Sequence, residues 1–213
     1  MKIAIIAHHR TGSTALSYWL SMELGYKFID EPFNLFNYVN DEIYQNSINE
    51  DNILVKYIFH HFTNKTQINE IFNIFDKVII LTRNNIRECA ISIVHANSVG
   101  NCHTKYILDD DWLNKNENLI KIQITNLTHN NKQIQEITGG LHITYEGIYE
   151  TKKDISKLKE YLKLCNLKHI NIIDVKNKYK ITDSTLPDDT SLYVLKPYVH
   201  ILNPNNIYKR KLI

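Results

Sequence analysis

Short runs of apolar residues alternate along the chain with segments in which apolar residues recur every three or four positions. The runs predict buried strands, and the periodic segments predict helices that present one apolar face. Strands are expected at 2–7, 26–30, 52–58, 77–82, 141–145 and 170–175, and helices at 13–24, 66–75, 86–97, within 110–137 and at 153–165. This alternation predicts an α/β fold in three layers, with a mainly parallel central sheet and helices on both faces.

The domain organisation follows from length and from the absence of linkers. The chain has 213 residues, no internal repeat and no low-complexity stretch. A length in this range suits one domain with a sizeable core. We therefore expect a single domain over residues 1–213.

A polar loop follows the first apolar run and precedes the first predicted helix. Ser13 is expected to cap that helix. A strand, a tight glycine turn and a helix N-terminus together form a geometry that holds phosphate, because free backbone N–H groups and the positive end of the helix dipole face the anion. The candidate binding residues are Arg10, Thr11, Gly12, Ser13 and Thr14.

This loop departs from the nucleotide-triphosphate motif Gly-x-x-x-x-Gly-Lys-Ser/Thr. It contains one glycine, and its basic residue, Arg10, precedes Gly12 rather than following it. A ligand with a single phosphate at this point fits better than a triphosphate with magnesium. An ordinary strand-to-helix turn is the alternative.

A second polar segment follows the apolar run at 78–81. Arg83 ends the predicted strand, Asn84 or Asn85 can cap the next helix, and Ser92 lies two turns into it. An arginine and a serine placed in this way can converge on one anion. The alternative is a surface arginine and an ordinary helix serine.

Two further predicted strands end in carboxylates. Glu31 follows the strand at 26–30, and Pro32 restricts the backbone beside it. The strand at 141–145 ends in Tyr145 and is followed by Glu146.

Taken in order, these four segments resemble the PAPS-dependent sulfotransferases (PAPS is 3′-phosphoadenosine-5′-phosphosulfate), and most closely their bacterial, carbohydrate-type members. The resemblance implies a P-loop-like fold of the sulfotransferase type. It also implies that the loop 10–14 holds the 5′-phosphosulfate, that Arg83 and Ser92 hold the 3′-phosphate, and that Tyr145 lies near the adenine. The product nucleotide would be PAP, the bisphosphate that remains after transfer.

The chain departs from the family pattern at three points. Nine residues separate Arg83 from Ser92, where cytosolic members usually have eight. Gly147 replaces the usual acidic residue after Tyr-Glu. The glycine-rich, basic C-terminal segment of cytosolic members is absent.

The resemblance also implies catalytic roles. Arg10 would stabilise the leaving 5′-phosphate, and Glu31 would take the proton from the acceptor. Lys56 would touch the transferred sulfonate, with a strand-end lysine that reaches solvent as the alternative. His60 and His61 are rival bases, although we favour an exposed loop for this pair. The acceptor would be a small-molecule or carbohydrate hydroxyl, or an amine.

Composition narrows the remaining classes of function. The net charge of +2 is too small to indicate a nucleic-acid partner, and no apolar run is long enough to cross a membrane. Three scattered cysteines and the lack of a typical signal peptide favour a cytoplasmic location. The chain contains neither His-Glu-x-x-His nor Cys-x-x-Cys, so no metal is expected.

Two other classes of function stay open. One is a P-loop-type kinase of a small molecule, and the other is a non-catalytic module that binds PAP or another nucleotide. The acceptor and the oligomeric state are not predicted by any motif.

Overall fold

The computed structural model describes residues 1–33, 48–62, 65–99 and 109–164. Five strands form one sheet in which every pair is parallel, in the order β2-β3-β1-β4-β5. The strands are β1 (Lys2–Ala7), β2 (Lys27–Asp30), β3 (Ile53–Ile58), β4 (Lys77–Thr82) and β5 (Leu141–Thr144). The predicted strands at these positions are confirmed to within one residue, and the strand expected at 170–175 lies outside the described residues.

Five α-helices in the described residues cover the sheet, and each predicted helix is confirmed to within three residues. They are α1 (Ser13–Leu24), α2 (Lys65–Ile74), α3 (Ile86–Val99), α4 (Asp110–Gln135) and α5 (Lys153–Leu162). A 3-10 turn, Phe59–His61, follows β3, and a short π-helix, Glu146–Glu150, follows β5. Among the described residues, no helix combines the length and apolar character that crossing a bilayer requires.

The strands β1, β3 and β4 are buried on both faces, so their side chains contribute to two separate cores. Ile3 and Ile5 of β1 pack with α1 and α5, whereas Ala4 and Ile6 pack with α2 and the end of α4. This alternation is the period-two geometry of a strand with a helical layer on each side. The predicted three-layer α/β fold is confirmed, with a sheet that is wholly parallel in the described part.

Of the two helix caps predicted from the sequence, the one at Asn84 or Asn85 is confirmed, and Asp109 forms a further cap. The side chain of Asn85 accepts a hydrogen bond from the Glu88 amide (3.2 Å), and that of Asp109 accepts one from the Trp112 amide (2.8 Å). The expectation that Ser13 caps α1 is wrong. Gly12 occupies the cap position in the left-handed region (φ 76°), so Ser13 is already the first helical residue.

The strand order has its topological switch point between β1 and β4. From β1 the chain continues towards β2 on one side, and from β4 it continues to β5 on the other side. In parallel α/β sheets, ligands bind at the carboxyl ends of strands where the connections diverge in this way. The loop after β1 and the segment after β4 carry the residues that sequence analysis selected.

Candidate functional site

The loop after β1 is a tight turn held by its own hydrogen bonds. Arg10 and Gly12 both have positive φ angles, 62° and 76°. The Thr11 hydroxyl donates to the His8 carbonyl (2.8 Å), and the Leu16 amide donates to the Gly12 carbonyl (3.0 Å). Because the first amides of α1 have no carbonyl one turn earlier to bind, they remain donors for an anion.

Gly12 is the point at which the loop packs against the segment after β5. The Tyr149 hydroxyl donates to the Gly12 carbonyl (2.7 Å). A Cβ atom at Gly12 would lie 2.6 Å from the Tyr149 ring and 3.1 Å from the Tyr145 ring. Both the backbone conformation and the close packing therefore require glycine here.

The two predicted phosphate segments meet beside this loop. Arg10 Nε donates to the Ser92 hydroxyl (2.7 Å), although 82 residues separate them in sequence. Arg83 Nη1 donates to the Arg10 carbonyl (3.2 Å). Buried Cys89, on the same helix as Ser92, donates its thiol to the His9 carbonyl (3.2 Å), and burial raises the pKa of this thiol to about 11. The loop after β1, the residue after β4 and helix α3 thus form one cluster with two guanidinium groups, of which that of Arg83 also pairs with Glu88 (2.5 Å).

Tyr145 lies against this cluster. The Arg83 guanidinium stacks 4.2 Å from the centre of the Tyr145 ring, which is a favourable cation–π contact. The Tyr145 and Tyr149 rings lie 4.9 Å apart, and burial raises the pKa of both tyrosines. The adenine contact implied for Tyr145 stays a prediction.

Glu146 has a structural role that sequence analysis missed. Its carboxylate accepts hydrogen bonds from the Asn84 amide (3.0 Å) and the Asn85 amide (2.9 Å), immediately before α3. Partial burial would raise its pKa, but these two amides lower it below the ordinary value. The carboxylate thus holds the end of β4 against the end of β5, beside Arg83.

The position of Asp154 explains why residue 147 is glycine rather than the acidic residue of the sulfotransferase pattern. Its buried carboxylate accepts hydrogen bonds from the Thr144 amide (3.0 Å) and hydroxyl (3.1 Å), and pairs with Lys157 (2.8 Å). A Cβ atom at Gly147 would collide with the Asp154 carboxylate. An acidic side chain at 147 is therefore incompatible with this arrangement.

Lys56 is buried at the carboxyl end of β3 and connects three elements. Its ammonium lies 2.7 Å from Asp30, 2.8 Å from Glu31 and 2.7 Å from the Thr14 hydroxyl of α1. Burial would lower the pKa of Lys56, but the two carboxylates outweigh it and the pKa is raised. The alternative of a lysine that reaches solvent is wrong, because only 1% of Lys56 is exposed.

Glu31 therefore lies close to the phosphate loop, with Lys56 between them. Its backbone is in the left-handed region (φ 46°), and its amide donates to the Lys56 carbonyl (2.9 Å). Asp30, the second carboxylate, was not selected from the sequence. No local signal pointed to it, because its pairing with Lys56 depends on the register of β2 against β3.

The histidine pair after β3 lies beside His9 of the loop. The His9 ring centre is 4.3 Å from that of His60 and 5.7 Å from that of His61. Burial, together with the neighbouring imidazoles, lowers the pKa of His9 to about 3, and the pKa values of His60 and His61 are also lowered, by burial first. His60 is exposed as expected, whereas His61 is half-buried, and both lie at the same sheet edge as the other candidates.

A cavity of about 310 Å³ opens beside these histidines. His8, His9 and His60 line one side, and α4 lines the other with polar side chains that include Gln123, Asn126 and Asn130. Burial lowers the pKa of His8 to about 4, so its ring is neutral near pH 7. Helix α4 and the loop after β1 thus line the same cavity.

No family model matches the sequence, and no curated protein matches it. Solved structures do share its fold. A mouse sulfotransferase, SULT7A1, complexed with PAP, is 10% identical with a TM-score of 0.53, and the match covers 88% of this chain and 68% of that one. Shikimate kinase from Bacteroides thetaiotaomicron is 13% identical with a TM-score of 0.46, covering 77% of this chain and 99% of the kinase. The chain has a P-loop-like α/β fold, and this degree of likeness shows the fold alone.

Proposed function

We propose that this protein is a PAPS-dependent sulfotransferase that moves a sulfuryl group to a hydroxyl or amine of a small-molecule or carbohydrate acceptor. The observation that carries the proposal is the direct contact between Arg10 and Ser92 (2.7 Å). These residues come from the two segments that resemble the 5′- and 3′-phosphate motifs of that family. Their contact at the switch point between β1 and β4 puts both motifs within reach of one bisphosphate nucleotide.

The chemistry of the donor set fits such a ligand. The loop combines a guanidinium, the Ser13 and Thr14 hydroxyls and the first amides of α1, and Arg83 adds a second guanidinium nearby. Guanidinium groups bind phosphate through charge-assisted hydrogen bonds. Transfer between two oxygens in line then needs charge stabilisation at the leaving phosphate, which is the role we assign to Arg10.

On the acceptor side, Glu31 is our candidate for the base. Lys56 holds this carboxylate 2.8 Å from its ammonium and at the same time binds Thr14 of the loop. A base must lie within hydrogen-bond reach of the proton that it takes from the acceptor, and this contact keeps Glu31 near the donor loop. The cavity between the histidines and α4 is our candidate for the acceptor site, and Lys56 is our candidate for a contact with the sulfonate.

The sequence argues against the kinase alternative. No lysine directly follows Gly12, where the nucleotide-triphosphate motif has one. The buried Lys56 does not replace it, because it is paired with two carboxylates. A non-catalytic module would share the same site, so only transfer from the donor separates it from an enzyme.

The proposal is tested by ligand binding and then by transfer. Thermal shift and calorimetry with PAP, 5′-AMP and ATP with magnesium should rank PAP first. Arg10→Ala should weaken PAP binding about 10- to 100-fold, because a charge-assisted contact is worth roughly 1.5–3 kcal/mol. Arg87→Ala is the matched control, since Arg87 is exposed and pairs with Glu117 instead.

Ser92→Ala should reduce the preference for PAP over 5′-AMP, because its proposed role concerns only the extra phosphate. Equal wild-type affinity for PAP and 5′-AMP would contradict the assignment, and preference for ATP with magnesium would favour a kinase. Radiolabelled PAPS incubated with pools of sugars, alcohols and amines then identifies an acceptor. PAP binding without transfer to any of them would favour the non-catalytic binding module.

A further inference from the structure

Three histidine rings converge at the carboxyl edge of the sheet. The rings of His60 and His61 lie 4.6 Å apart, and His9 lies 4.3 Å and 5.7 Å from them. One ring nitrogen from each histidine lies within 4.8 Å of those from the other two.

The parallel register produces this convergence. Ala7 at the end of β1 pairs with Ile58 at the end of β3. His9 and His60 each follow two residues later, so they occupy equivalent positions on neighbouring strands. The Cys89 thiol donates to the His9 carbonyl (3.2 Å) and so holds the loop that carries His9. The 3-10 turn Phe59–His61 holds His60 and His61.

The spacing suits a transition-metal ion. Zinc binds histidine nitrogen at about 2.0–2.1 Å, so tetrahedral ligands lie about 3.3 Å from one another. Nitrogens that already lie within 4.8 Å reach that separation through small ring rotations. Three imidazoles and one remaining position are a common ligand set of catalytic zinc sites.

The cavity beside the cluster leaves room for one exchangeable ligand on the ion. His9 and His60 also line the cavity of about 310 Å³, so a fourth ligand can enter from that side.

We propose that His9, His60 and His61 bind one divalent ion of the zinc class and leave a coordination position open to the cavity. The expectation from sequence that no metal binds would then be wrong, because the ligands come from two loops rather than one motif. The proposal does not depend on which group the phosphate loop transfers. The proposal also bears on which residue takes the proton from the acceptor. A ring nitrogen bound to a metal cannot accept a proton, so the metal-bound protein would leave the role of general base to Glu31.

The test is metal binding to the full chain after removal of metal by a chelator. Calorimetry with Zn²⁺ should give one strong site, and Co²⁺ should give the intense visible absorption of a tetrahedral complex. His9→Ala, His60→Ala and His61→Ala should each reduce Zn²⁺ affinity by more than the roughly 10- to 100-fold that follows loss of a residue hydrogen-bonded to a ligand.

His142→Ala is the matched control, because this exposed histidine lies on β5 away from the cluster. Circular dichroism and PAP binding check that each variant is folded. Since His60 is exposed, its replacement should leave the fold intact. Failure of the wild type to bind Zn²⁺, or retention of full affinity in both His60→Ala and His61→Ala, would overturn the proposal. A wild type that binds Zn²⁺ but does not bind PAP or transfer a sulfuryl group would contradict only the proposed function.

Discussion

At the scale of single residues, Gly12 is the position where a side chain is least tolerated. Its φ of 76° suits glycine, and the Tyr149 ring leaves no space for a side chain. Gly25 has a similar φ of 66°, but nothing lies within 4 Å of a Cβ atom there. A side chain would strain the backbone at both positions, but it would overlap with neighbouring atoms only at Gly12.

Gly12→Ala should lower the free energy of unfolding more than Gly25→Ala does. Strain in the left-handed region costs about 1 kcal/mol or more at either site, and overpacking adds about 1–3 kcal/mol at Gly12 alone. Urea unfolding of both variants measures the difference. Equal losses would mean that the Tyr149 ring moves away freely.

Glu31→Gln tests the proposed base. Glutamine keeps the shape and can still accept a hydrogen bond from Lys56, but it does not take a proton at neutral pH. PAP binding should stay near the wild-type value while turnover with the acceptor found by screening falls about 10²- to 10⁴-fold. Full turnover in Glu31→Gln, with loss in His60→Ala or His61→Ala, would move the role to the histidine pair.

At the scale of elements, two carboxylates after β5 join neighbouring helices to the sheet. Glu146 binds the amides before α3, and Asp154 in α5 binds Thr144 at the end of β5. Burial would raise the pKa of Asp154, but hydrogen bonds from Lys157 and Thr144 lower it below its ordinary value. The folded state therefore holds this carboxylate ionised in preference to the unfolded chain.

The sign of the pH dependence follows from that lowered pKa. The stability that Asp154 contributes is fully present above its unfolded pKa of 3.8 and is lost as the pH falls through the lower, folded value. Asp154→Asn should reduce the free energy of unfolding by about 1.5–3 kcal/mol at pH 6, and the difference from wild type should shrink below about pH 4.

Urea unfolding from pH 6 down to pH 2.5 measures this dependence. Asp109→Asn is the control, because asparagine caps a helix as well as aspartate does and that position is exposed. A difference that is constant over the whole pH range would show that the Asp154 charge plays no part.

At the scale of the whole molecule, the parallel sheet brings strand ends together, and Lys56 connects several of them. Its ammonium binds β2 through Asp30 and α1 through Thr14, while its own strand lies beside β1. Removal of one member of a buried ion pair leaves an uncompensated charge. The loss should therefore be felt in global unfolding rather than in one loop.

Lys56→Met should reduce the free energy of unfolding by about 3–5 kcal/mol. Lys27→Met is the matched control, since its 2.7 Å pair with Glu50 lies at the surface and should cost about 1 kcal/mol or less. Chemical denaturation followed by circular dichroism compares them. Similar small losses in both variants would mean that water replaces the Lys56 ammonium.

The local elements were predictable because each depends on neighbouring residues. The apolar run at 78–81 predicted a buried strand, and it lies in β4; Asn85 caps α3 as predicted. The Ser13 cap failed because the left-handed turn at Gly12 moved the start of α1 by one residue. Resemblance to a family supplied Arg10, Arg83 and Ser92 as candidates, but not their contact.

The sequence by itself thus determined the strands, the helices, the α/β class and the cationic loop, since hydrophobic periodicity and capping are local properties. Only the tertiary structure decided the strand order and everything that depends on it. It placed Arg10 on Ser92, buried Lys56 between Asp30 and Glu31, and brought His9 to His60 and His61. These contacts join residues that are 25 to 82 positions apart, and no local pattern encodes which strand ends become neighbours.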